Sequence, residues 1–380
     1  MIYNSPDHWF KKKEVQRREA FLTFRSPDTF SISVANPGWD GTIEYSTDAV
    51  SWTTWDGSSI SSISNGTKHY LYLSGTGNTV ITGSNNSGIE WTITGSNVSC
   101  IGDIDTLLDY ETVQSAAIPT MGDYCYDNMF YGCTALITAP NLPARTLTMY
   151  CYAGMFRGCT NLSKAPSLPA EETAYSCYNA MFYGCKALIN APELPATLVN
   201  SSSYHSMFYD CTSLIAPPDI LATWVGELGC AYMFYGCTSL IKAPSLTATS
   251  LGKSAYRYMF YGCTSLSYAP ALPATNFQGS HVYNYMFSMC TNLKGIPALP
   301  STELEDSCYS CMFDGCTGIK LSESETDEYT QPYKIPSIGY GSVGTSSYPL
   351  ASMFRGTGGT FTGTPSINKT YYLSSANTIV

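Results

Sequence analysis

The dipeptide Met-Phe returns at a nearly constant interval over most of the chain. Its methionines are Met129, Met155, Met181, Met207, Met233, Met259, Met286, Met312 and Met353. The interval between successive methionines is 26 positions, apart from one of 27 and a last one of 41. A fixed period of this length is the signature of a solenoid, in which each repeat buries its apolar side only by stacking on its neighbours. The 380 residues therefore predict an elongated stack with additions at its ends, rather than two or three ordinary domains.

The consensus of the repeat predicts the shape of one coil. It reads Cys-Tyr-x-x-Met-Phe-Tyr-Gly-Cys-Thr-x-Leu-x-x-Ala-Pro-x-Leu-Pro-Ala. A residue before proline is pushed out of the helical region, so the Ala-Pro-x-Leu tract predicts a strand. Because proline removes a backbone donor, the strand should span only about two to four residues. Apolar residues at helical spacing in 150–159, with a glycine near the end, predict one short helical turn per coil.

This motif resembles the leucine-rich-repeat surface proteins of gut Bacteroidales. The resemblance is carried by LxxAPxLPAxxLxxYCYxxMFxGCTxL and covers about 120–380. Similar repeats are also found in proteins of phages that infect these bacteria. The resemblance implies an extracellular protein of adhesion or recognition, and it says almost nothing about the ligand.

The predicted fold is mainly β with short helices. Alternating apolar and polar residues between turn clusters predict an antiparallel sandwich ahead of the repeats. The last repeat has Thr357 where cysteine is expected, as suits a cap. The predicted segments are a docking helix at 1–20, a β-sandwich at 21–100, a solenoid N-cap at 101–120, the repeat solenoid at 121–321, and an acidic insertion, last repeat and C-terminal cap at 322–380.

Charge is unevenly distributed along the chain. The segment 1–25 carries a net charge of +3 and the rest −13, and no apolar stretch follows the basic run as a signal peptide would require. We interpret the N-terminus as a helix that docks onto a larger particle, with a solvated terminal helix as the alternative. The candidate docking residues are Trp9, Phe10, Lys11, Lys12, Lys13, Arg17 and Arg18.

Most of the 15 cysteines fall on two columns, four residues after and four residues before each methionine. The second column is interrupted by Ser203, Ala255 and Val282, a pattern unlike that of disulfide partners. We therefore interpret the cysteines as small buried apolar residues. A zinc site at Cys308, Cys311 and Cys316 is a weak alternative because no second pair or histidine accompanies them. No metal and no cofactor is expected.

Several function classes receive no support from the sequence. It contains no HExxH, GxSxG or P-loop pattern, so no catalytic residue is assigned and a non-enzymatic role is expected. The net charge of −10 argues against a nucleic-acid partner. No run of about 18 apolar residues predicts a membrane span. The acidic stretch 322–328 is interpreted as a solvated loop.

Two tyrosine columns accompany the methionines. The column three residues before each methionine is predicted to be packed inside. The column two residues after it includes Arg, Ser and Asp, which indicates an exposed position. An exposed tyrosine column suits contact with a glycan or protein, although it could instead only seal neighbouring coils together. The candidate ligand-contact residues are Tyr131, Arg157, Tyr183, Tyr209, Tyr235 and Tyr261.

These observations favour a phage virion protein, a head or tail fibre or decoration protein on the virion surface. Its N-terminus would bind other virion proteins, and its solenoid would adhere to a host-surface glycan or protein, with a homo-oligomer as a further expectation. A bacterial cell-surface leucine-rich-repeat adhesin is the alternative. A polysaccharide-acting enzyme on a solenoid is a third hypothesis without positive support.

Overall fold

The computed structural model of the protein describes residues 21–83, 90–301, 304–336 and 348–380. Within these ranges the chain is mainly β, and the helical residues are confined to a 3-10 helix at Ile104–Leu107 and a helix α1 at Tyr110–Gln114. The predicted docking helix at 1–20 lies outside the described residues.

The N-terminal region forms two sheets. Its strands are β1 (Leu22–Ser26), β2 (Ser31–Ala35), β3 (Thr42–Ser46), β4 (Thr53–Thr54), β5 (Ile60–Ser61), β6 (Ile63–Asn65), β7 (Lys68–Thr76), β8 (Glu90–Thr94) and β9 (Val98–Ile101). One sheet runs β9-β1-β7-β3-β4, with β6 also on β7, and the other runs β5-β2-β8. All these pairs are antiparallel. The sandwich itself stays a prediction.

Tryptophans fill the interior of this region. Trp55 and Trp91 are each 2% exposed, and their ring centroids lie 5.5 Å apart. Trp39 stacks on Trp55 at 5.5 Å. Large aromatic side chains bury much apolar area, so this cluster serves as core.

The segment 101–120 joins the two-sheet region to the first coil. The carboxylates of Asp103 and Asp109 accept hydrogen bonds from backbone N–H groups at the starts of the 3-10 helix and α1. Strand β10 (Leu136–Thr138) of the first coil pairs in parallel with β9. The N-terminal region thus occupies the place of a preceding coil at the start of the stack.

The coils stack through very short parallel strands. Strands β11 (Leu198–Val199), β12 (Trp224–Val225), β13 (Ser250–Gly252) and β14 (Asn276–Gln278) form one sheet in chain order. Leu198, Trp224 and Ser250 lie in register, so the pairing repeats with the period of the Met-Phe motif. The predicted strand length is confirmed. These strands follow the Ala-Pro-x-Leu tract instead of lying in it, because its prolines have no N–H to donate to a neighbour.

The predicted helical turn in each coil is wrong. The segment from four residues before to three residues after each methionine, here called the turn segment, consists of turns. In the first coil Tyr124, Asn128 and Gly132 have positive φ angles of 59°, 53° and 70°. Every fourth residue is therefore left-handed, which interrupts an α-helix. The N–H groups of Asn128 and Phe130 bond to carbonyls one coil on, at 2.8 Å each, instead of bonding up a helix.

The solenoid interior is built of columns of identical residues. Phe130 and Phe156 stack at 5.7 Å, and the phenylalanine column continues at similar spacing to Phe354. The tyrosine column three residues before each methionine is buried, which confirms that prediction. Its members are Tyr126, Tyr152, Tyr178, Tyr204, Tyr256, Tyr283 and Tyr309, each at most 2% exposed.

The C-terminal region closes the stack with one mixed sheet and one further parallel pair of strands. Strands β15 (Gly295–Ile296), β16 (Lys320–Ser322), β17 (Tyr329–Lys334), β18 (Gly358–Gly359), β19 (Thr370–Ser374) and β20 (Thr378–Ile379) complete the fold. One sheet runs β17-β19-β16-β18, and β20 pairs with β15. The acidic residues at 323–328 are exposed, as predicted, although the inserted segment then continues as β17.

Candidate functional site

The predicted contact column runs along the outer side of the turn segments. Tyr131 is 52% exposed, Arg157 is exposed, and the four following tyrosines are half-buried. The rings of Tyr183, Tyr209 and Tyr235 stack at 4.4 Å with interplanar angles of 4°. Tyr261 continues the stack at 4.6 Å. These residues therefore contact one another along the stack while part of each side chain stays accessible.

The column changes character towards the C-terminus. Ser288 stands at the next position and is 1% exposed, so the expectation that a serine marks an exposed site is wrong here. Its side chain is too short to reach the surface. Asp314, one coil further, pairs with Arg355. The accessible part of the column thus ends at Tyr261.

Arg157 lies between two tyrosine rings. Its guanidinium carbon is 4.6 Å from the ring centroid of Tyr183 and 5.8 Å from that of Tyr131. Such cation–π contacts orient an arginine without using its N–H donors. Within the part of the chain that the structure describes, the Arg157 guanidinium forms no ion pair, and the residue is exposed to solvent.

A second tyrosine column, which the sequence interpretation missed, lies beside the first. Tyr232, Tyr258 and Tyr285 precede their methionines by one residue and stack at 4.8 and 4.6 Å. Tyr258 also approaches Tyr261 of the first column at 5.6 Å. The signal was present as a tyrosine one residue before three consecutive methionines. The two columns are three residues apart within a coil and would share a face even in a helix, so this signal could have been read from the sequence.

The two columns together form a half-buried aromatic area, here called the tyrosine surface. Its members are Tyr183, Tyr209, Tyr235, Tyr261, Tyr232, Tyr258 and Tyr285. Burial, followed by repulsion from Tyr235 and Tyr183, raises the pKa of Tyr209. The hydroxyl therefore stays protonated at neutral pH and can donate as well as accept a hydrogen bond.

A polar cleft of about 290 Å³ lies next to Arg157, at the N-terminal end of the tyrosine surface. Its aromatic wall is formed by Tyr124 and Tyr150, whose rings stack at 4.7 Å. Asp127 and Asn179 also line it. Burial raises the pKa of the Asp127 carboxyl to about 6. No sequence motif marks this cleft, because its residues come from three successive coils.

The cysteines lie inside the coils. All 15 are buried and present as thiols, which confirms their interpretation as small interior residues. Burial raises the pKa of the Cys177 and Cys308 thiols to about 12. Among the described residues no group of three or more His, Cys, Asp or Glu side chains could hold a metal ion.

The seven candidate docking residues between Trp9 and Arg18 lie outside the described residues. In the ranges that are described, no helix has the length and apolar character needed to cross a membrane.

A solenoid of short coils with stacked cysteine, methionine and phenylalanine columns defines a leucine-rich-repeat type of protein. The model of one family, the BspA-type leucine-rich repeat region, matches residues 123–216 and 230–328 in six copies. The chain belongs to this family, and the resemblance deduced from the repeat motif is confirmed at that level. Members of the family are typically exposed at surfaces. Searches of curated proteins and of solved structures found no match to the chain.

Proposed function

We propose that the protein is a non-catalytic, surface-displayed recognition protein that adheres to a host-surface glycan or protein through the tyrosine surface. The observation that carries this proposal is the pair of stacked, accessible tyrosine columns on one side of the coils. Membership of the BspA-type family supports the adhesin-like role.

The stacking itself makes the tyrosine surface suitable for binding. Neighbouring rings at 4.4 Å hold each other in place, so little side-chain entropy remains to be lost when a partner binds. Tyrosine combines apolar area with a hydroxyl, and it is enriched among the residues that dominate interfaces. A rigid row of such side chains therefore favours contact with an extended partner.

We propose a virion as the carrier, with the N-terminal segment as its attachment to other virion proteins and the two-sheet region as a sandwich-like spacer. The charge distribution supports this arrangement, because the +3 of segment 1–25 is set against −13 elsewhere. A bacterial cell-surface adhesin is the second candidate, and the family match favours it.

Labelling and fractionation distinguish the two carriers. Antibodies against the solenoid are applied to intact phage particles and to intact bacterial cells from the source. The virion proposal requires label on particles, and their proteome must contain the chain. Changing Lys11, Lys12 and Lys13 to Gln should reduce incorporation, whereas Lys242→Gln on the solenoid should not. Label confined to uninfected cells would overturn the virion proposal and support the second candidate.

Adhesion is tested with a double variant of the tyrosine surface. Tyr235→Ser with Tyr261→Ser should reduce binding of the purified chain to host cells at least tenfold. The matched control is Tyr268→Ser, since Tyr268 is 53% exposed and pairs at the strand side of the coil. Equal binding by both variants would contradict the proposal. Cleavage of host polysaccharide by the chain would contradict the non-catalytic role.

A further inference from the structure

The polar cleft lies in coils that precede the second tyrosine column, which begins only at Tyr232. The position one residue before each methionine holds Tyr232 and Tyr258 in later coils, but Gly154 and Ala180 in the coils beside the cleft. Gly154 has φ of 57°, and a Cβ atom there would lie 2.2 Å from Oδ1 of Asn128. The absence of large side chains at these two positions leaves room that the later coils fill with aromatic rings.

The cleft combines one aromatic wall with converging polar groups. Tyr124 and Tyr150 form the wall, with an interplanar angle of 6°. Asn128 Nδ2 donates to Asp127 Oδ1 at 2.8 Å, which orients the carboxylate. Asn179 and Arg157 add an amide and a guanidinium from later coils. Few polar groups beside an apolar wall are what small-ligand sites typically offer.

The charge and size of the cleft restrict the ligand class. Asp127 and Arg157 are the charged residues among those that line it, so the site has no net charge. An anionic ligand would be repelled by Asp127, and a cationic ligand would be repelled by Arg157. Two amides, a carboxylate and a guanidinium together supply both donors and acceptors, which paired hydroxyl groups require. The volume of about 290 Å³ lies at the small end of ligand pockets.

We propose that this cleft binds one neutral hexopyranose residue of a glycan, with the sugar ring against Tyr150 and its hydroxyls on Asp127, Asn179 and Arg157. This inference rests on the proposed recognition function and adds the ligand class. The sugar ring has an apolar face for the tyrosine and an edge of hydroxyls for the polar groups. The adjacent tyrosine surface would then contact the rest of the glycan or its carrier.

Ligand-observed saturation-transfer NMR on the full chain tests the proposal. The probes are the methyl glycosides of glucose, galactose, mannose, fucose and N-acetylglucosamine, with glucuronate as the charged comparison. At least one neutral glycoside should bind, and glucuronate should bind at least tenfold more weakly. Binding by none of the neutral glycosides, or a preference for glucuronate, overturns the proposal.

Variants locate the binding. Asn179→Ala should weaken the glycoside at least tenfold, and Gly154→Tyr should abolish binding by filling the cleft as Tyr232 fills its own coil. Asn190→Ala is the control, because Asn190 is exposed on another side of the coil. Asn179→Ala leaves the backbone and the aromatic wall of the cleft in place, so it remains informative if Gly154→Tyr does not fold. Unchanged binding by Asn179→Ala overturns the assignment to this cleft.

The sugar-binding and adhesion experiments distinguish a failure of this inference from a failure of the proposed function. If the cleft binds no sugar while Tyr235→Ser with Tyr261→Ser still reduces adhesion to host cells, only the sugar site is wrong. If the glycoside binds but the chain does not adhere to host cells, the recognition role is wrong and the cleft stands.

Discussion

The thiol of Cys159 donates a hydrogen bond to the backbone carbonyl of Phe130, one coil earlier, at 3.0 Å. The same bond recurs along the column, as from Cys185 to Phe156 at 3.1 Å. The first thiol, Cys133, bonds to the carbonyl of Trp91 in strand β8 at 3.0 Å. The cysteine column thus links each coil to the one before it, and the two-sheet region supplies the acceptor that a preceding coil would supply.

The thiol contact predicts a measurable loss of stability when it is removed. Cys211→Ala should lower the free energy of unfolding by about 1 to 2 kcal/mol, because a buried contact and a buried hydrogen bond both disappear. Cys211→Ser should cost less, since the hydroxyl can still donate to the Phe182 carbonyl that now accepts from the thiol. The shift of the urea unfolding midpoint measures this, with Asn190→Ala as the exposed control. Equal stability of Cys211→Ala and the unaltered chain would contradict it.

Burial also predicts that the thiols are unreactive in the folded protein. The pKa of Cys177 is raised to about 12, so hardly any thiolate forms at neutral pH, and the thiolate is the reactive species. A colorimetric thiol reagent at pH 7.5 should therefore modify few of the 15 cysteines until denaturant is added. Rapid modification of a whole column in the native state would show that the thiols are accessible and that this account is wrong.

The sequence predicted the features of the fold that depend on repeated side chains, but not those that depend on backbone hydrogen bonds between coils. The period of the Met-Phe motif predicted the stack and the buried tyrosine column, because identical residues must repeat wherever coils pack. The repeated prolines predicted the short strands. The period did not predict the turn segment. Apolar spacing there imitates a helix, whereas the N–H of Asn128 bonds across to the next coil.

The candidate site was likewise predicted only in part. The column from Tyr131 to Tyr261 was visible as one repeated position, and its members do lie in one line. The second column and the polar cleft were not found. Tyr258 and Tyr261 are three residues apart, a pair that a helical segment would also bring together, so the second column was visible in the sequence. The cleft was not, because neighbours such as Asp127 and Asn179 are set by coil stacking.

The left-handed backbone of the turn segment predicts that replacing glycine by alanine lowers stability there, whereas replacing alanine by glycine does not. Gly184 has φ of 71° and no neighbouring heavy atom closer than 3.9 Å to an added Cβ. Gly184→Ala should therefore cost roughly 1 kcal/mol through backbone strain alone. Ala180 already has φ of 51°, so Ala180→Gly should change stability little, because relieved strain is offset by unfolded-chain entropy. A larger loss from Ala180→Gly than from Gly184→Ala, measured by urea unfolding, would refute the left-handed assignment.

Asp105 predicts that the junction between the two-sheet region and the solenoid is more stable in mild acid. Its carboxyl is buried in the 3-10 helix, and burial, followed by repulsion from Asp103, raises its pKa to about 6. The hydroxyl of Tyr126 faces it at 3.1 Å and acts in the opposite direction. Because the folded-state pKa exceeds that of the unfolded chain, the folded state binds the proton more tightly. The contribution to stability is fully present below about pH 4 and is lost as the pH rises through 6.

Hydrogen exchange of the amides in 101–130 should accordingly slow, after correction for intrinsic rates, when the pH falls from 7 to 5. Asp105→Asn should remove this dependence from the amides of 101–115, because it is neutral throughout the range and keeps the shape of the side chain. The dependence that remains near Asp127 belongs to that carboxyl, whose pKa is also raised to about 6. Asp56→Asn is the control, since Asp56 lies on the surface and its pKa is lowered by hydrogen bonds from Ser58. An unchanged pH dependence in Asp105→Asn would assign the effect to another group.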